Sequence, residues 1–168
     1  MKIRVLIQVT LITLAIHSTG YADSKDKTLW GQAEFGMTPA QILKIYPDAI
    51  MNPEHDGGSH EGKVIIPKLS IDLKDFEVHF LFGWEGLFLV RLEAKTPNAH
   101  TFQSFENLLR LKYGKPIKIN DSLAHIGLHS REWYDVPLTV KIILLNQEDK
   151  KILSIVYSHE KKGAINSL

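Results

Sequence analysis

Two runs that alternate between apolar and polar residues, joined by four turn-forming residues, restrict what this chain can fold into more than any other feature. From Phe76 to Phe82, the side chains Phe76, Val78, Phe80 and Phe82 fall on one side, with Glu77 and His79 on the other. From Leu87 to Ala94, Phe88, Val90, Leu92 and Ala94 share a side. A period of two belongs to a half-buried strand rather than a helix. Between the runs, Gly83-Trp84-Glu85-Gly86 has the chemistry of a turn. The pair predicts a β-hairpin with one apolar face that another element must cover.

Two segments can supply that cover. Thr38-Pro39-Ala40-Gln41 is a helix start: Thr38 can cap free amides, Pro39 suits the first helical position, and Gln41 can reach back to complete a capping box. Ile42, Leu43 and Tyr46 give this helix an apolar side, and Pro47 ends it early. A second helix opens at Thr96-Pro97-Asn98. Phe102, Phe105, Leu108, Leu109 and Tyr113 form its stripe, Gly114 stands at the left-handed C-cap, and Pro116 follows. Further strands are expected over Val64–Leu69 (where Pro67 implies an edge or a bulge), His129–Asp135, Leu138–Leu145 and Ile152–Ser158.

A helix with one apolar stripe and strands with one apolar face cover each other most economically as two layers. The predicted fold is therefore α+β, an antiparallel sheet covered by two helices. The blocks 35–94 and 98–158 look like one helix-plus-three-strand unit used twice, as a repeat of pattern rather than of sequence. Residues 23–34 are expected as an N-terminal extension with a first short strand, and 159–168 as a polar tail.

The N-terminus reads as an export signal. Lys2 and Arg4 precede an apolar run from Val5 to Ile16, and Gly20-Tyr21-Ala22 offers the small residues a signal peptidase needs. The run is shorter than the roughly 20 apolar residues of a membrane span. Cleavage is expected between Ala22 and Asp23, leaving 146 of the 168 residues in the periplasm. The leader holds two of the 20 basic residues and none of the 19 acidic ones, so the remainder carries a net charge of −1. That balance gives no electrostatic reason to expect nucleic acid as a partner. With no cysteine there can be neither a disulfide nor the acylated cysteine of a bacterial lipoprotein, so no stable membrane anchor is expected.

Chemistry-bearing motifs are sparse. His55-Asp56-Gly57-Gly58-Ser59-His60-Glu61 gathers two imidazoles and two carboxylates, and a metal-binding or metal-dependent hydrolytic site on His55 and His60 is one reading. A solvated turn is the other, since Val64 stands where a zinc protease would place its second histidine. The same loop starts G-x-S-x-G at Gly57 and Ser59 but ends it with Glu61. Glu132 and Asp135 as an acid pair have nothing to recommend them beyond proximity. Trp84, at the hairpin tip, can anchor a partner or fold over its own hairpin, whereas Trp30 and Trp133 lie in apparent strands and suit a core. No catalytic residue and no cofactor are expected.

Phe35-Gly36-Met37-Thr38-Pro39-Ala40-Gln41 resembles the G-M-T-x-x-Q opening of the outer-membrane assembly factor BamE and of β-lactamase-inhibitor-protein-like modules. With Tyr113-Gly114-Lys115-Pro116 and the closing hairpin, the chain is also similar to small uncharacterised periplasmic proteins of Gram-negative bacteria. This chain has no lipoprotein cysteine and carries Tyr46-Pro47-Asp48 where a glycine and proline are expected after the first helix. The resemblance implies a periplasmic location and an α+β binding module, and it transfers neither a partner nor a functional residue. The expectation of another envelope protein as partner rests on the export signal, the doubled helix-plus-sheet pattern and the lack of catalytic motifs. A small-molecule ligand held between helix and sheet remains a further reading.

Overall fold

The computed structural model describes residues 27–53 and 63–159. The export signal, the His55 and His60 loop and the tail beyond His159 lie outside these residues. Within them the fold is α+β: two helices and a mostly antiparallel eight-stranded sheet that does not close into a barrel.

The sheet is built from β3 (Ile50–Met51), β4 (Val64–Ile71), β5 (Lys74–Gly83), β6 (Gly86–Ala94), β7 (Lys118–Asn120), β8 (Leu128–Asp135), β9 (Leu138–Asn146) and β10 (Lys151–His159). Their order across the sheet is β3-β4-β5-β6-β10-β9-β8-β7. The predicted hairpin is its spine, with Phe76 opposite Ala94, Val78 opposite Leu92 and Phe80 opposite Val90. β10 then joins β6 to β9, placing Ile155 between Leu92 and Ile142. Pro67 falls where the β4–β5 register shifts, between Ile66 and Leu69, so the missing amide is absorbed by an irregularity. β1 (Thr28–Trp30) and β2 (Ala33–Glu34) form a separate two-stranded ribbon.

Helix α1 (Pro39–Ile45) starts as its sequence demands. Thr38 Oγ1 accepts from the Gln41 amide, and the Gln41 side chain accepts from the Thr38 amide at 2.8 Å, closing the capping box. Helix α2 (Ala99–Tyr113) is capped by Asn98, whose Oδ1 accepts from the Thr101 amide at 2.8 Å. Gly114 ends α2 with φ 80° but ψ −152°, so it is a positive-φ stop rather than the left-handed cap expected.

Phe76, Val78, Phe80, Val90, Leu92, Val140, Ile142, Leu153 and Ile155 are buried on the helix side of the sheet, where they meet Ile42 of α1 and Phe102, Phe105 and Leu109 of α2. Phe76 meets Phe105 edge-on at 4.9 Å between centroids. Each large apolar side chain removed from water here stabilises the fold by about 1.5–3 kcal/mol. Trp133 is fully buried and donates its indole N–H to the Gly114 carbonyl at 2.9 Å, tying the end of α2 to β8. Trp30 lies partly buried against the core, stacked on Tyr46 at 5.6 Å.

Two expectations about faces are corrected. Leu87, not Phe88, occupies the core side, because the β5–β6 register shifts between Leu81 and Phe82. The shift adds a residue to β6 and turns Phe88 away from the helices. Leu108 is 43 % exposed, so it lies outside the buried stripe of α2, and Thr101 is buried there instead.

Candidate functional site

The helices and the β1–β2 ribbon cover one side of the sheet, leaving the other side as the main candidate. Because side chains alternate, the residues between the core positions project onto this second face. Cross-strand pairing arranges them in rows. One row runs Leu81, Leu89, Ser158, Thr139 from β5 to β9. The next runs His79, Arg91, Val156, Lys141, Glu132, and a third runs Glu77, Glu93, Ser154, Ile143.

The middle of this face is apolar. Leu81 is only 5 % exposed, and Phe88, Leu89, Ile143 and Val156 are half-buried around a shallow cavity of about 440 Å³ that Arg91 and Ser154 also line. β9 and β10 explain why. Val140-Lys141-Ile142-Ile143-Leu144-Leu145 and Ile152-Leu153-Ser154-Ile155-Val156-Tyr157 carry apolar residues at outward positions as well as inward ones. Strands apolar on both faces are strands in need of cover on both faces.

Beside this apolar centre, β5 and β6 hold a compact charged group. Glu77 Oε1 lies 3.1 Å from His79 Nε2, Glu77 also pairs with Lys95, and Arg91 Nε lies 2.9 Å from Glu93 Oε1. Arg91 Nε and His79 Nδ1 are both buried and, among the described residues, have no hydrogen-bond partner, so the Arg91–Glu93 contact is an ion pair without hydrogen-bond geometry. Burial lowers the His79 pKa; Glu93 and Glu77 pull it upward and are outweighed. The imidazole is thus held toward its neutral form.

Trp84 projects from the tip of the β5–β6 hairpin and is 87 % exposed, so it does not fold over its own strands. The base of that tip is fixed. The Gly36 amide donates to the Leu87 carbonyl and the Leu87 amide donates to the Met37 carbonyl, both at 2.8 Å. Gly36-Met37, singled out in the sequence only as part of the G-M-T-x-x-Q resemblance, is thus a clasp on the hairpin.

Glu132 and Asp135 lie on opposite faces of β8, three residues apart, and do not form an acid pair. At the edge next to α2, Arg131 Nη1 donates to Asp121 at 2.7 Å and Arg131 Nε donates to Glu106 at 3.2 Å. His129 Nδ1 lies 3.0 Å from the same Asp121 oxygen. The bond from Arg131, joined by that of His129, holds the Asp121 carboxyl below its ordinary range. Burial works against the Arg131 charge, yet Asp121 and Glu106 outweigh it and raise its pKa. This arginine is already matched by two carboxylates, so the cluster braces the edge. Among the described residues no three His, Asp or Glu side chains converge as metal ligands, and no helix is long and apolar enough to cross a membrane.

Comparison with known proteins adds nothing to this geometry. No protein-family model, curated protein or solved structure gives a significant match to the chain. Any functional reading therefore rests on the site itself. Its members Leu81, Leu89, Arg91, Ile143 and Val156 were not singled out by motif, but the doubly apolar runs of β9 and β10 were the signal that could have found them.

Proposed function

We propose that this protein is an exported periplasmic accessory module that binds another envelope protein through the sheet face opposite its helices. One observation carries the reading: the centre of that face, at Leu81, Leu89, Ile143 and Val156, is apolar and lies on the side away from both helices. A contiguous apolar patch rimmed by charge is what an interaction surface requires. Glu77, His79, Arg91 and Glu93 on one flank and Lys141 and Glu132 on the other supply such a rim.

Three further features support it. Residues 1–22 have the three parts of a signal peptide. The Gly36-Met37-Thr38 opening resembles that of BamE and of β-lactamase-inhibitor-protein-like modules. The element orders α1-β3-β4-β5-β6 and α2-β7-β8-β9-β10, meeting where β6 pairs with β10, support a single helix-plus-strands unit used twice. Doubling such a unit would make one broad sheet face out of two narrow ones.

Site-specific photo-crosslinking in living cells tests the reading. A crosslinking residue in place of Lys141 sits on the face in question, and one in place of Gln103 sits on α2. A discrete adduct from position 141 and none from 103 is expected. No adduct from 141, or the same adduct from both, overturns the proposal.

A further inference from the structure

On the helix side of the sheet, a cavity of about 550 Å³ opens between the β1–β2 ribbon and the end of α2. It is lined by Leu29 and Trp30 of β1, Lys112 and Tyr113 of α2, Leu138 of β9 and Tyr157 of β10. The volume falls within the roughly 300–1,000 Å³ usual for small-molecule sites. The separation of the ribbon from the helix is what creates it, so it is independent of the apolar face behind the sheet.

Tyr157 makes this cavity more than a packing gap. The residue is 8 % exposed, and among the described residues its hydroxyl has no hydrogen-bond partner, yet it is not sealed from solvent. A buried tyrosine ordinarily finds a partner for its hydroxyl, so an unpaired phenol on a residue that lines a cavity calls for a ligand atom. A second phenol, Tyr113, lines the same cavity. Lys112 holds its ammonium 4.9 Å from the centre of the Tyr113 ring. The cavity lining thus includes two phenols and a cation, with Leu29, Trp30 and Leu138 supplying apolar surface.

We infer that this cavity binds a small organic carboxylate with an apolar or aromatic body. The carboxylate accepts from the Tyr157 and Tyr113 hydroxyls beside Lys112, and the body rests against Leu29, Trp30 and Leu138. Asp135 also lines the cavity, from the end of β8, and repels an anion placed beside it, which favours a carboxylate near Lys112. Burial, reinforced by Tyr113, pushes the Tyr157 phenol far up, so it stays a donor at any physiological pH.

The test is calorimetric titration of the full exported chain with phenylacetate and hexanoate, each against its neutral amide. Saturable binding of at least one acid, with its amide at least about tenfold weaker, is expected, because a hydrogen bond to a charged group is worth that much. Tyr157→Phe, which keeps the ring, and Lys112→Met, on the helix surface, should each weaken the acid by about tenfold. Unchanged thermal unfolding of both variants would show that the loss is local. Absence of saturable binding by either acid, equal affinity for acid and amide, or full affinity in both variants would each overturn the inference.

Discussion

Gly86 lies directly against the backbone carbonyl of Gly36, so closely that a Cβ on Gly86 would collide with it, and its φ of +97° is one that side chains resist. The contact brings the turn that precedes α1 onto the tip of the β5–β6 hairpin. Gly86→Ala should therefore cost about 2–4 kcal/mol through strain and displacement of the clasp. Gly83→Ala is the control, because its Cβ would meet the Phe88 ring at an ordinary 3.5 Å. Denaturant unfolding of the two variants checks the difference.

Trp133→Phe removes the indole donor to Gly114 and leaves unfilled volume at a site that is 1 % exposed. A loss of about 2–4 kcal/mol is expected from the lost hydrogen bond and the cavity together. Amide exchange in the last turn of α2 should accelerate more than in α1, because the lost bond anchors that turn. Equal acceleration in both helices would show that Gly114 is held by something else.

His79 sets an acid dependence of stability. Its folded pKa lies below the ordinary 6.5, chiefly through burial, so the unfolded chain binds the extra proton first. Its contribution is complete above about pH 6.5 and declines as the pH falls from there through the folded value. Asp121, also lowered and chiefly by Arg131, adds a second decline at still lower pH, below its ordinary value of 3.8. Melting temperature followed from pH 7.5 to 5 should fall in the wild type and flatten in His79→Gln. An identical slope in the variant would remove His79 from the account.

Trp84→Ala should leave stability within about 0.5 kcal/mol, because the indole is 87 % exposed on a tip whose base is held by backbone bonds. Thermal unfolding measures this directly. If the variant also loses the adduct formed from position 141, the hairpin tip belongs to the same binding surface as the sheet face.

The parts of the fold written in local chemistry were legible. Thr38 and Gln41 cap α1 because their spacing leaves them little else to do, and the alternation around Phe76–Phe82 and Val90–Ala94 places those residues on the core. What escaped depends on partners distant in sequence. Leu87 displaces Phe88 from the core only because β5 and β6 shift register at Leu81. β3 and β7 are two and three residues long and are recruited as strands by β4 and β8. Tyr157 reads as one more inward strand residue, and nothing local announces that it lines a cavity. The outward Ile143 and Val156 were visible in the sequence, but their meaning appears only once both helices are found on the other side.

The central claim is that the apolar centre of the sheet face opposite the helices is a binding surface. Its most direct test is the affinity of the protein captured through position 141, purified and titrated against the wild type and Val156→Lys. Val156 is half-buried in the middle of that face, between Arg91 and Lys141, so a lysine there places a third positive charge in the apolar centre. The account predicts a Kd at least about tenfold weaker, as for the loss of a central interface contact, with the melting temperature nearly unchanged. An unaltered Kd in a folded Val156→Lys protein would contradict it.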